Sequence, residues 1–245
     1  MADSTATRGG TGTSIDTSAA FTGFDGDALG FYDGLEADNS KTYWTDHKAI
    51  YEQAVRTPML ALLAPLEPRF GPATMFRPYR DVRFSADKSP YKTHAGAVLR
   101  AAGGTQLYVQ VGADGLLVGG GYYHMSPDQL SRYRQAVDDD GPGRRLERVA
   151  AKLGRAGFTL IGERLARAPR GVDPKHPRID LLRHKGLAAM FTFGVPDWLG
   201  TPRCLDEVAG AFRSIAPLTG WLAEQVGPAE PSDGDPRRVR RAAGS

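Results

Sequence analysis

Cysteine is almost missing from this 245-residue chain: Cys204 stands alone, so no internal disulfide can form, and a reducing cytoplasm is the expected setting. Long apolar runs are missing as well. No stretch reaches the roughly 18 residues that cross a bilayer. The first twenty residues, rich in Ser, Thr, Gly and Ala, lack the apolar core of a signal peptide. The expectation is a soluble, cytoplasmic protein with no membrane partner. Charge of one sign is scarce: 31 Lys and Arg stand against 28 Asp and Glu, leaving +3, so bulk charge gives no ground for nucleic-acid binding. The five histidines are scattered, with no His-x-x-x-His and no cysteine pair, and no metal is expected. Lys88-Ser89 lacks the upstream glycines of a phosphate loop, which excludes a nucleoside-triphosphate site of that kind.

What is present suffices for one sizeable core, with 41% of residues apolar. Asp25 is placed to cap a helix through Phe31 and Leu35, with Phe24 and Leu29 as its hydrophobic staple. A second helix is predicted from about Lys41, with Trp44, Ile50, Tyr51 and Val55 on one face, interrupted by Pro58. Pro58 then opens a third helix carrying Met59, Leu62, Leu63 and Leu66. In the middle the period changes to two. Leu107, Val109 and Val111 alternate with Gln106, Tyr108 and Gln110, and Gly112-Ala113-Asp114-Gly115 turns the chain into a second strand through Tyr122. Gly103-Gly104 supplies a similar turn upstream, so three successive antiparallel strands are expected. Gly119-Gly120-Gly121 reads as a bulge in that sheet.

Ser126-Pro127-Asp128-Gln129 reads as a capping box opening a helix, and another helical stretch runs from about Gly143 to Leu153. A strand follows at Leu187–Phe193. A last helix opens at Thr201-Pro202 and carries Leu205, Val208, Phe212 and Ile215; Pro217 is expected to kink or restart it before Trp221. The fold class is therefore α+β: a central, mostly antiparallel sheet flanked by helices in a single domain over residues 21–226. It lies between a disordered lead-in at 1–20 and a disordered, Arg-containing tail at 227–245.

One segment concentrates charge. From Arg77 to Lys92, Arg77, Arg80, Arg83, Lys88 and Lys92 face only Asp81 and Asp87, a local +3 that equals the balance of the whole chain. Were Phe76–Phe84 a strand, Arg80 would share a face with Phe76, Val82 and Phe84 and would need a carboxylate, Asp87 being the candidate. Two readings follow. In one, the charges form an internal ion network that locks a loop onto the sheet. In the other, Arg77, Arg80, Arg83, Lys88 and Lys92 grip a phosphate or carboxylate, with Tyr91 stacking or hydrogen-bonding. Asn39 and Trp44 are candidates for a pocket wall. If a reaction occurs, Asp81 and Asp87 are the first bases to test.

Several of these pieces together resemble a known family. Phe21–Leu35, Trp44, Tyr51-Glu52, the run Phe76–Thr93, Gly119-Gly120-Gly121-Tyr122, His176-Pro177 and Ala211–Leu218 are similar to the family called domain of unknown function 2461, over about residues 21–226. Arg80–Lys92 is the most specific stretch. The resemblance implies a single α+β domain; it carries no activity, no catalytic residues and no cofactor. The leading expectation is thus a small anionic ligand on the charged loop. The alternatives are a nucleic-acid-binding module stacking on Tyr79 and Tyr91, and a non-enzymatic protein-interaction domain whose charged loop is structural.

Overall fold

The computed structural model describes residues 20–83 and 88–230, and Phe84–Asp87 together with both chain ends lie outside it. All but the last residue of the expected lead-in at 1–20 and most of the expected tail at 227–245 are therefore outside the described residues.

Helix α1 spans Gly26–Ala37, and the Asp25 side chain caps it by accepting from the Ala28 N–H at 3.2 Å. Helix α2, Lys41–Ile50, starts at a Ser40 cap. It does not stop before Pro58, as the sequence suggested. The chain runs on through a π-helical segment, Tyr51–Arg56, directly into α3, Thr57–Phe70. The Thr57 N–H donates to the Glu52 carbonyl five residues back, and this widened turn accommodates the proline ring that an α-helical interior rejects. Trp44, Tyr51 and Val55 are buried on the inner side, whereas Ile50 is exposed: six residues after Trp44 within α2, it already lies about 120° around the helix from that face. Met59, Leu62, Leu63 and Leu66 are all buried as expected.

The sheet has six strands, β1 (Ala73–Met75), β2 (His94–Arg100), β3 (Gln106–Gly112), β4 (Gly115–Tyr122), β5 (Thr159–Ile161) and β6 (Leu187–Gly194). Their order is β1-β2-β3-β4-β6-β5, with every neighbouring pair antiparallel. Alternation fixes the two faces. Ala97, Leu99, Leu107, Val109, Val111, Leu116 and Val118 are sealed on the inner face. Across it lies α7 (Arg203–Gln225), whose Phe212, Ile215 and Leu218 are fully buried. α7 passes through Pro217 as one helix, because buried residues on both sides of the proline hold the axis in place. α4 (Pro127–Asp138), which carries the predicted capping box, and α5 (Asp140–Arg155) pack beside α7; the short α6 spans Ile179–Leu182.

Two expectations about the sheet are corrected. The bulge lies between Leu116 and Leu117; the three glycines pair in step with Met190, Ala189 and Ala188. Gly120 instead permits close packing, since a Cβ there would stand 2.9 Å from Ile215 Cγ2 of α7 and 2.7 Å from Leu107 Cδ2. The second correction concerns Phe76–Phe84. The strand ends at Met75, and only an isolated Tyr79–Tyr91 bridge follows. Pro78 has no N–H for a ladder and constrains the residue before it, so the chain leaves the sheet there. Arg80 accordingly lies half-buried in a loop and not within an apolar strand face.

Gly227–Glu230, placed in the tail by the sequence reading, are attached to the domain. Gln129 and Tyr122 both donate to the Gly227 carbonyl, at 2.8 and 2.7 Å, and Arg132 donates to the Pro228 carbonyl at 2.8 Å. Among the described residues no helix is long and apolar enough to cross a membrane.

Candidate functional site

Aromatic side chains from α1, α2 and the π segment converge where the charged loop meets the helices. Phe31 packs against Trp44 and Tyr51, and Trp44 stacks flat on Tyr91, with centroids 4.5 Å apart and planes at 8°. Asn39 holds this arrangement by bonding the Tyr91 backbone twice: its amide donates to the Tyr91 carbonyl and its oxygen accepts from the Tyr91 N–H, each at 3.1 Å. Asn39 therefore works as a clamp on the loop's end, while Trp44 reaches a hollow. The Tyr91 ring is buried beneath Trp44.

The neck of the loop is zipped by backbone. Arg80 N–H donates to the Pro90 carbonyl at 2.9 Å and Lys92 N–H to the Pro78 carbonyl at 2.8 Å, on either side of the Tyr79–Tyr91 bridge. Beyond the neck, Arg83 forks onto Asp81 through Nε at 2.9 Å and a terminal nitrogen at 2.7 Å, both groups well exposed. The bonds from Arg83 hold the Asp81 carboxyl below its ordinary range, and a carboxylate so engaged is a weak proton acceptor. Lys88 donates to the Val82 carbonyl at 3.1 Å. Lys92 donates to the Arg77 carbonyl at 3.0 Å and lies 5.1 Å over the Phe76 ring; burial and the nearby Arg77 lower its affinity for a proton. Asp87 is outside the described residues.

Arg77 faces elsewhere. It lines a hollow of about 520 Å³ walled by Trp44, Tyr51, Phe76 and Tyr79, with Lys48, Glu52 and Arg56 from the helical side. Arg56 and Glu52 form an ion pair at 3.5 Å. Lys48 and Arg77 make no ion pair among the described residues, though Arg77 lies near enough to Asp81 to help lower its affinity for a proton, and both stand beside the aromatic walls. Burial, with Glu52 next, pushes the Tyr51 hydroxyl up to about 12, so it stays a proton donor across the physiological range. Of the predicted ligand set, then, Arg77 alone lines the hollow, together with the predicted wall residue Trp44; Arg83 and Lys88 lie out on the loop, engaged with loop groups.

Lys48, Tyr51, Glu52 and Arg56 did not stand out in the sequence as site residues. Lys48, Glu52 and Arg56 follow a four-residue spacing, which reads as an ordinary solvated helix stripe. The π segment that carries Glu52 and Arg56 leaves no mark in α-periodicity. Among the described residues no three His, Cys, Asp or Glu side chains are grouped to hold a metal ion.

Residues 27–221 match the family described as Conserved hypothetical protein (DUF2461). The chain belongs to that family. The match takes in the hollow, the charged loop and all six strands of this DUF2461 domain. No curated protein and no solved structure matches the chain.

Proposed function

We propose that this DUF2461 domain binds a small anionic ligand bearing phosphate or carboxylate, held in the hollow between the π segment and the neck of the charged loop. The supporting observation is the placing of two cations outside any ion pair among the described residues, Lys48 and Arg77, beside the aromatic walls Trp44, Tyr51 and Tyr79. Lys48 and Arg77 are both exposed, so a guanidinium and an ammonium at the rim of the hollow attract an anion through charge-assisted hydrogen bonds within reach of solvent. The Tyr51 hydroxyl adds a neutral donor, and exposed Tyr79 adds a ring face for a planar ligand.

Within this reading the rest of the loop is a lock. Arg83 on Asp81, Lys88 on Val82 and Lys92 on Arg77 fasten the segment that carries Arg77. No reaction is proposed. The nucleic-acid alternative relies on Tyr79 and Tyr91 as paired stacking groups, and Tyr91 offers no free ring face.

Thermal melting against a panel of phosphorylated and carboxylated metabolites tests the reading. Some member should raise the wild-type melting temperature, and Arg77→Ala and Lys48→Ala should abolish the shift while Arg83→Ala keeps it. A panel with no effect on wild type, or an equal shift in Arg77→Ala, would refute it.

A further inference from the structure

The outer face of the sheet carries a second apolar surface, separate from the core. Val98, Tyr108, Gly119 and Met190 lie in register across four strands, with Ala188 and Ile161 paired one step further along. Ala188 is buried, yet it and these neighbours fall outside the core cluster. They line a recess of about 310 Å³, within the usual range for small-molecule pockets of about 300–1,000 Å³. Its floor is the backbone of Gly119 and Gly121, which present no side chain outward.

Phe76 lines this recess and also the cationic hollow around the sheet edge. It is 40% exposed, and Lys92 lies above its ring. Apolar and cationic recesses thus meet at one exposed ring, an arrangement complementary to a molecule with an anionic head and an apolar tail.

We propose that the ligand is a single-chain amphiphilic carboxylate whose head lies at Arg77 and Lys48 and whose acyl chain crosses Phe76 onto the outer sheet face. This rests on the anion-binding reading of the hollow and adds the class of ligand. Every methylene buried on the sheet strengthens binding by about fourfold. A head-only anion uses the hollow and gains nothing from the sheet.

Calorimetric titration of the full chain with inorganic phosphate, hexanoate and dodecanoate, each below its micelle concentration, tests the proposal. Dodecanoate should bind about a hundredfold or more tighter than hexanoate. Val98→Trp, which fills the recess, and Ile161→Glu, which puts a charge at its edge, should each weaken dodecanoate tenfold or more and leave phosphate within twofold; that unchanged phosphate binding also shows the variants are folded. Arg77→Ala should weaken both ligands. Affinity independent of chain length, dodecanoate binding untouched in both sheet variants, or dodecanoate binding untouched in Arg77→Ala overturns the proposal while phosphate binding keeps the anion reading. Failure of wild type to bind any of the three removes both.

Discussion

At the scale of single residues, Asn39 does the most with the least. Its one amide satisfies both the N–H and the carbonyl of Tyr91, fifty-two positions away, and so fixes the ring on which Trp44 lies. Asn39→Ala leaves both backbone groups half-buried without their partner, a cost of about 1–3 kcal/mol. Asn39→Asp keeps the acceptor and loses the donor, and should fall between. Urea unfolding checks the order; an alanine variant as stable as wild type would show that the clamp is idle. Histidine gives the pH dependence at this scale. Burial lowers the affinity of His94 for a proton, and Lys92 and Arg80 add to it; burial does the same at His184, with Arg164 next. Both folded values lie below the ordinary 6.5, so the unfolded chain takes up protons first as pH falls. Their contribution to stability is full above about pH 6.5 and is lost through the interval down to the folded values. His94→Gln should therefore flatten the fall in melting temperature between about pH 7.5 and 5, and an unchanged slope would count against the assignment.

At the scale of elements, the alternating strands and the capped helices were legible because each rests on local chemistry. Leu107, Val109 and Val111 alternate only if one face is buried, and Ser126 with Gln129 forms its box wherever the chain turns into a helix. The π segment was not legible. One extra residue in a helical turn changes which side chains share a face without changing composition, and Pro58, which predicts a stop, is absorbed by the wide turn. The candidate site was only half legible: charge density pointed to the segment Arg77–Lys92, whereas the hollow at Arg77 also takes Lys48, Glu52 and Arg56 from the helical side. Deleting exposed Gln53 should return the ladder to ordinary α spacing with both flanking helices kept. The variant is expected to fold, with a loss of about 1–3 kcal/mol. It should lose the ligand-induced melting shift, because Tyr51, Glu52 and Arg56 no longer share a wall. A variant that keeps the full shift would place the ligand elsewhere.

For the whole molecule, the sequence carried the class, an antiparallel sheet with helices against it, but not the asymmetry that leaves the outer face of that sheet open. Periodicity tells which residues of a strand face together; it does not tell which face the helices choose. Nor could it foresee how the chain closes. Residues Gly227–Glu230 connect parts that lie far apart in sequence. Tyr122 at the end of β4 bonds both Gly103 and Gly227, and Gln129 and Arg132 of α4 hold Gly227 and Pro228. The Glu230 N–H donates to Asp128 at 2.8 Å. This short segment therefore ties α7 to α4 and to the turn between β2 and β3. A chain ending at Glu230 keeps all of these contacts and should melt with the full chain. A chain ending at Val226 leaves Gln129, itself buried, without the Gly227 carbonyl and takes the Pro228 carbonyl from Arg132, which keeps Val226 and Asp128. Losing one buried amide bond and one half-exposed charged bond costs about 2–4 kcal/mol. Denaturant unfolding of the two truncations decides the matter: equal stability would mean that the contacts merely follow α7 to its end, whereas a gap of that size, rescued by restoring only Gly227–Glu230, establishes them as the closing tie of the domain.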